Sequence, residues 1–174
     1  MPRKLALVAP FGMFALGMFL SAAPGVGAGH SWGCYKWPTA NLTYNITATS
    51  PYNTYYSQET RTDSNSWHNY TVVNFNSGSG VQMQSGRYGY TGWLGLATIS
   101  VSGCTIQSAT TKLNRTYLDG AGYTPDKRKR VACHEVGHST GLNHNSSSTS
   151  CLKSGGSAQS KPNGHDRDQL DIIY

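Results

Sequence analysis

The sequence predicts an α+β domain, and three observations carry that expectation. Apolar-rich segments suited to strands fill the middle of the chain, notably 92–101 and 105–113. A helix with signals at both ends follows at 124–140. Leu170, Ile173 and Tyr174 then recur at helical spacing in the last segment.

In chain order, Arg3 and Lys4 precede an apolar stretch from 5 to 20, followed by Ser21, Ala22, Ala23 and then Val26, Gly27 and Ala28. Basic, apolar and small-residue regions in that order describe an export signal. Cleavage after Ala28 is preferred, because cutting after Ala23 leaves Pro24 just past the scissile bond. The apolar stretch is shorter than the roughly 20 residues of a spanning helix, and Pro10 interrupts it, so no stable membrane anchor is expected. The expected division is a leader at 1–28 and one secreted, monomeric domain at 29–174. A domain of that size buries about two-thirds of its unfolded surface, enough for a core.

Within the domain, 32–38 reads as an irregular anchoring segment. A strand is expected at 41–47 with Leu42, Tyr44 and Ile46 on one face. A turn-rich break at 51–55 precedes a helix at 57–69, capped by Ser57 and carrying Trp67. A strand at 72–75 and a Ser/Gly-rich loop at 76–80 lead to the two central strands, which flank Cys104. Thr124 is placed to cap the next helix, with Pro125 at its first position. A polar loop at 146–164 and a helix at 166–174 complete the chain.

Charged residues make up 13% of the chain, against a usual ~25%. Loss of Arg3 and Lys4 with the leader lowers the formal charge from +6 to +4. That balance does not describe a nucleic-acid binder. The run Lys127-Arg128-Lys129-Arg130 opposes the dipole of its helix. It reads as a solvated face, with a docking patch for an anionic surface as the alternative. Asn41, Asn45, Asn69, Asn114 and Asn145 each open an Asn-x-Ser/Thr triplet, a glycan acceptor only in a eukaryotic secretory route.

Cys34, Cys104, Cys133 and Cys151 form an even set with no zinc-finger spacing, which in an exported chain reads as two disulfides. Three pairings are possible. Position favours Cys133 with Cys151, which ties the 124–140 helix to the segment after it, leaving Cys34 for Cys104.

The chemistry is concentrated in His134-Glu135-Val136-Gly137-His138-Ser139-Thr140-Gly141-Leu142-Asn143-His144, an H-E-x-x-H-x-x-G-x-x-H pattern. Residues four apart on a helix share a face, so His134 and His138 can share one cation at about 2.0–2.1 Å each. Gly141 suits the left-handed residue at which a helix stops and the chain reverses, bringing His144 in as a third ligand. Glu135 follows the first ligand and can reach a metal-bound water. Three protein ligands with an open fourth position describe a catalytic zinc site. At this chain's own frequencies, the five fixed positions arise by chance roughly once in 10⁵ such chains.

With this motif, the strands before it and the terminal helix, the chain resembles the metzincin metallopeptidases, most nearly their small secreted bacterial matrixin-like members. The resemblance spans 42–174 and is specific over 131–152. It implies a zincin domain, with a twisted, mostly parallel sheet packed on helices that include the zinc-binding one. It also implies zinc held by His134, His138 and His144, and Glu135 as catalytic base. Protein or peptide substrates are implied, lying extended along an edge strand within 92–101, with the loop 154–164 walling the specificity pocket. Two departures stand out. The family's methionine beneath the zinc is absent; Leu152 aligns there, and a slip of one residue puts Lys153 in its place. No Pro-Arg-Cys-Gly-like inhibitory stretch exists either. The competing readings are a catalytically silent zinc-binding peptide-recognition protein and a zinc hydrolase of cell-wall peptides.

Overall fold

The computed structural model describes residues 3–10 and 29–174. The expected leader otherwise lies outside the described residues. Its segment Arg3–Pro10 (β1) pairs antiparallel with β5 (Trp93–Ser102), from Arg3 opposite Val101 to Pro10 opposite Trp93. The other strands are β2 (Asn41–Ile46), β3 (Asn74–Ser77), β4 (Val81–Gly86) and β6 (Thr105–Asn114). Their order across the sheet is β1-β5-β6-β4-β2-β3. Pairings β2/β3, β2/β4 and β4/β6 are parallel, while β5 runs antiparallel to both neighbours. The result is an α+β fold on a mixed sheet. Parallel pairs dominate only away from β5.

Alternation sets which side of each strand faces the helices. In β5, Gly95, Ala97, Ile99 and Val101 are buried while the residues between them are only partly so. In β2, Leu42 is buried and Tyr44 and Ile46 partly buried on the same face, as expected. The helix α4 (Pro125–Ser139) packs on β5, β6 and α1 (Tyr52–Ser57). Trp67, Tyr52, Tyr56, Phe75, Leu42 and Met83 fill the space between the layers.

The helix expected at 57–69 is not one element. Tyr52, Tyr55 and Tyr56 are buried at helical spacing, and that packing forms α1 where Pro51 and Asn53 suggest a turn. Ser57 ends this helix rather than capping a later one. A π-helical turn at Gln58–Thr62 follows, then α2 (Trp67–Tyr70), whose cap is Ser66. β4, with Val81 and Met83 buried, forms where the sequence predicts no strand. A short α3 (Arg115–Leu118) follows β6, and α5 (Gly164–Ile173) starts two residues earlier than expected. Asn163 sets that start, exchanging bonds with Asp166 in a capping box.

The cationic run is only partly solvated: Lys127 is exposed, while Arg128, Lys129 and Arg130 are half-buried. Lys127 Nζ donates to the Gly122 carbonyl, Arg128 Nε to that of Leu118 and Arg130 Nη1 to that of Ser157, while Lys129 pairs with Asp63. Each cation tethers a neighbouring segment to α4. Asn114 is equally committed. Its amide donates to the Gly89 carbonyl, Thr91 Oγ1 and the Trp93 carbonyl, and its oxygen accepts from the Tyr88 and Thr116 amides.

Both disulfides join the favoured partners, Cys34 with Cys104 and Cys133 with Cys151. No helix among the described residues is long and apolar enough to cross a membrane. Two disulfides in a chain of this size suit an oxidising, extracytoplasmic setting.

Candidate metal centre

Thr124 caps α4 through its hydroxyl, which accepts from the Lys127 amide at 3.3 Å, and Pro125 occupies the first turn. Eight consecutive residues, Ala132 to Ser139, are buried at the far end of the helix. Trp67 fixes that end by donating its indole N–H to the Cys133 carbonyl at 2.8 Å.

The helix stops where the glycine sits. Gly141 has φ +96°, and a β-carbon there would meet the Tyr35 carbonyl oxygen at 2.6 Å. Any other residue would be both strained and blocked. The reversal is held by the segment just past the expected cleavage point. The Trp32 amide donates to the Gly141 carbonyl at 2.7 Å and the Asn143 amide to that of His30 at 2.6 Å.

Three imidazoles meet as the motif requires. His134 Nε2 lies 3.0 Å from His138 Nε2 and 3.2 Å from His144 Nε2. All three ligand atoms fall within 4.8 Å of one another. Tetrahedral nitrogens at zinc's bonding distance are about 3.3–3.4 Å apart, so the spacing suits one shared ion.

The second nitrogen of two rings is already committed. His134 Nδ1 is 2.8 Å from the Cys151 carbonyl and His138 Nδ1 is 2.9 Å from that of Leu142. A carbonyl only accepts, so each Nδ1 carries the proton and each Nε2 turns a lone pair toward the other. Two facing lone pairs with no proton between them repel; a cation resolves the conflict. Protonation is disfavoured too. Burial brings His134 down to about 4, only partly opposed by the Cys151 carbonyl. Burial and the neighbouring His134 hold His138 well below its ordinary range, and burial lowers His144. At neutral pH the donor set is unprotonated, as metal binding needs.

Glu135 projects toward β5, where the β-carbon position of Gly95 lies 2.5 Å from its Oε1. Neither carboxylate oxygen has a hydrogen-bond partner among the described residues. Burial pushes its proton affinity well above the usual carboxylate range, and the nearby Ala97 amide, not aligned for a hydrogen bond, offsets this only in part. A cation held by the neighbouring histidines would favour the ionised form, the form a general base requires.

Leu152 is fully buried, its Cδ2 2.9 Å from where a β-carbon on Gly137 would stand. Lys153 is partly exposed and bonds through Nζ to the Ser146 carbonyl, so of the two aligned residues Leu152 is the one that enters the interior. Cys34 is in a disulfide and cannot cap the site.

The three histidines of the motif come together, with Glu135 buried beside them in the chain against Gly95, but their supports do not show in the sequence. In the sequence Asp166 stands out only as part of a helix. It is fully buried and bonds Asn145, Ser150 and the Asn163 amide, with His30 Nε2 at 3.0 Å. Burial alone would raise its proton affinity; the contacts from His30, Ser150 and Asn145 outweigh this and hold it below the ordinary range. Its only trace in the sequence is the Asn163-x-x-Asp166 spacing of a helix start.

Neither a protein-family model nor a curated protein sequence matches the chain.

Proposed function

We propose that the protein is a secreted zinc endopeptidase of the metzincin type. One observation carries this reading: His134, His138 and His144 present unprotonated nitrogens to a single point, next to a chain position holding a buried, unpaired glutamate. These residues fit zinc, and no cysteine is free to bind it instead. Bound zinc would acidify a water molecule and polarise the scissile carbonyl.

The chain's own residues supply the rest. Glu135 accepts the proton of the attacking water and returns it to the departing amine. Packing against Gly95 and Ala97 keeps bulk solvent from that carboxyl, which preserves its affinity for the proton in transit. The outer edge of β5 already accepts one extended segment antiparallel, β1. Once residues 3–10 are removed with the leader, that edge is available to a substrate strand adding to the sheet.

The test uses purified protein with casein or gelatin. Cleavage is expected, together with its loss to a zinc chelator and its loss in Glu135→Gln with zinc still bound. Products mapped by mass spectrometry separate the alternatives. Cuts confined to cell-wall peptides would assign a cell-wall hydrolase. Zinc binding with no cut across a broad peptide library would assign a silent recognition protein.

A further inference from the structure

The second and third contacts around the metal ligands converge on one side chain. We propose that Asp166 is the positioning residue of the metal centre, fixing the chain on both sides of His144 and the turn that orients His134. The inference rests on the zinc reading and goes beyond it, because Asp166 lies outside the motif.

The Asp166 carboxylate accepts three hydrogen bonds and has His30 as a fourth close contact. Oδ1 accepts from Asn145 Nδ2 at 2.7 Å and lies 3.0 Å from His30 Nε2. Oδ2 accepts from Ser150 Oγ at 2.6 Å and from the Asn163 amide at 2.7 Å. Three of these contacts lead to the ligands. Asn145 directly follows His144, and its own amide donates to the Leu152 carbonyl at 2.9 Å. His30 accepts the Asn143 amide on its backbone carbonyl, so Asp166 governs the residue before His144 as well as the one after it. Ser150 accepts the Leu152 amide on its hydroxyl at 2.9 Å and so shapes the turn whose middle carbonyl, Cys151, holds His134 Nδ1.

The fourth contact anchors the hub itself. The Asn163 amide and the reciprocal bond from Asp166 N to Asn163 Oδ1 fix the carboxylate at the start of α5. A carboxylate only accepts, and the Asn145, Ser150 and Asn163 groups all donate to it. Asparagine has nearly the same shape but turns one acceptor into a donor, which sets an N–H against N–H or O–H groups. Partners outside a metal's direct ligands that fix ring orientation are worth 10- to 100-fold in metal affinity.

The experiment compares wild type, Asp166→Asn and Ser150→Ala as purified, disulfide-bonded proteins. Zinc affinity is measured by competition with a chromophoric chelator, the visible spectrum is recorded with cobalt(II), and the melting temperature is taken without metal. Asp166→Asn is expected to weaken zinc binding by about 10- to 100-fold and to alter the cobalt bands. Ser150→Ala, which leaves the carboxylate and its other partners in place, is expected to shift both readouts less in the same direction. Wild-type affinity and an unchanged spectrum in Asp166→Asn would overturn the proposal, whatever happens to the melting temperature. If Asp166→Asn does not fold, the same two readouts at wild-type values in Ser150→Ala would do so. A wild type that takes up neither metal would bring down the zinc reading along with it.

Discussion

The chain has two glutamates, Glu59 and Glu135, and they are alike in every local property except their neighbours. Both are buried, at 0% and 1% exposure. Neither has a hydrogen-bond partner on its carboxylate among the described residues. Burial pushes both well above the ordinary value near 4.5. Yet Glu59 sits on the π-helical turn with Lys129 and Asp63 as its charged neighbours, whereas Glu135 follows a histidine of the convergent trio. Burial and a raised proton affinity therefore mark a carboxyl that is costly to ionise. Proximity to a metal-ligating set is what gives one of them a reaction to serve.

The comparison breaks first on activity. Glu135→Gln is expected to lower the peptidase rate by about 10²–10⁴-fold with zinc content unchanged, while Glu59→Gln stays within about twofold of wild type. Comparable losses in both, measured as initial rates on one fluorogenic peptide, would erase the distinction. Metal removal comes next. Zinc at a thousand times its dissociation constant is expected to add about 4 kcal/mol to the unfolding free energy, and equally in the Glu59→Gln background. Denaturant titration with and without chelator reads this directly.

A third effect is read at Glu59, the buried glutamate outside the histidine trio. Its proton affinity is higher folded than unfolded, so the native state holds a proton that the unfolded chain releases above pH 4.5. Its contribution to stability is complete below that pH and is lost as pH rises toward the folded value. Glu59→Gln removes the titration. Relative to wild type it should gain about 1.4 kcal/mol for each pH unit through that window, read from melting curves at a series of pH values. A gain independent of pH would mean that Glu59 does not titrate in this range. Smallest is Leu152→Met, a volume-conserving change beside Gly137, expected to move stability by less than about 1.5 kcal/mol and leave zinc affinity in place.

What the sequence made legible was local. The bounds of α4 follow from Thr124, Pro125 and Gly141, whose conformational preferences act within one turn of chain. The ligand trio is equally local, since eleven consecutive residues contain it. Both disulfides followed from position relative to that helix. By contrast, α1 forms because Tyr52, Tyr55 and Tyr56 find a core to enter, and that packing overrides turn-favouring neighbours. The Asp166 hub was hidden for a related reason. Its partners come from the N-terminal segment, the ligand loop and the turn below it, and no spacing rule connects residues 30, 145, 150 and 166.

The bonds of Asn114 bear on how the protein can be produced. Asn114 opens one of the Asn-x-Ser/Thr triplets, and its amide nitrogen, where an oligosaccharide would attach, already serves three acceptors in the folded chain. Sugar transfer to a nascent chain precedes folding, so a yeast or mammalian secretory host would modify this nitrogen before those bonds form. The loop from Tyr88 to Trp93 would then lose its anchor, and chains modified there would be retained as misfolded. A bacterial host that exports to an oxidising periplasm avoids the problem, and Asn114→Gln does not cure it elsewhere, because the longer side chain displaces the same contacts.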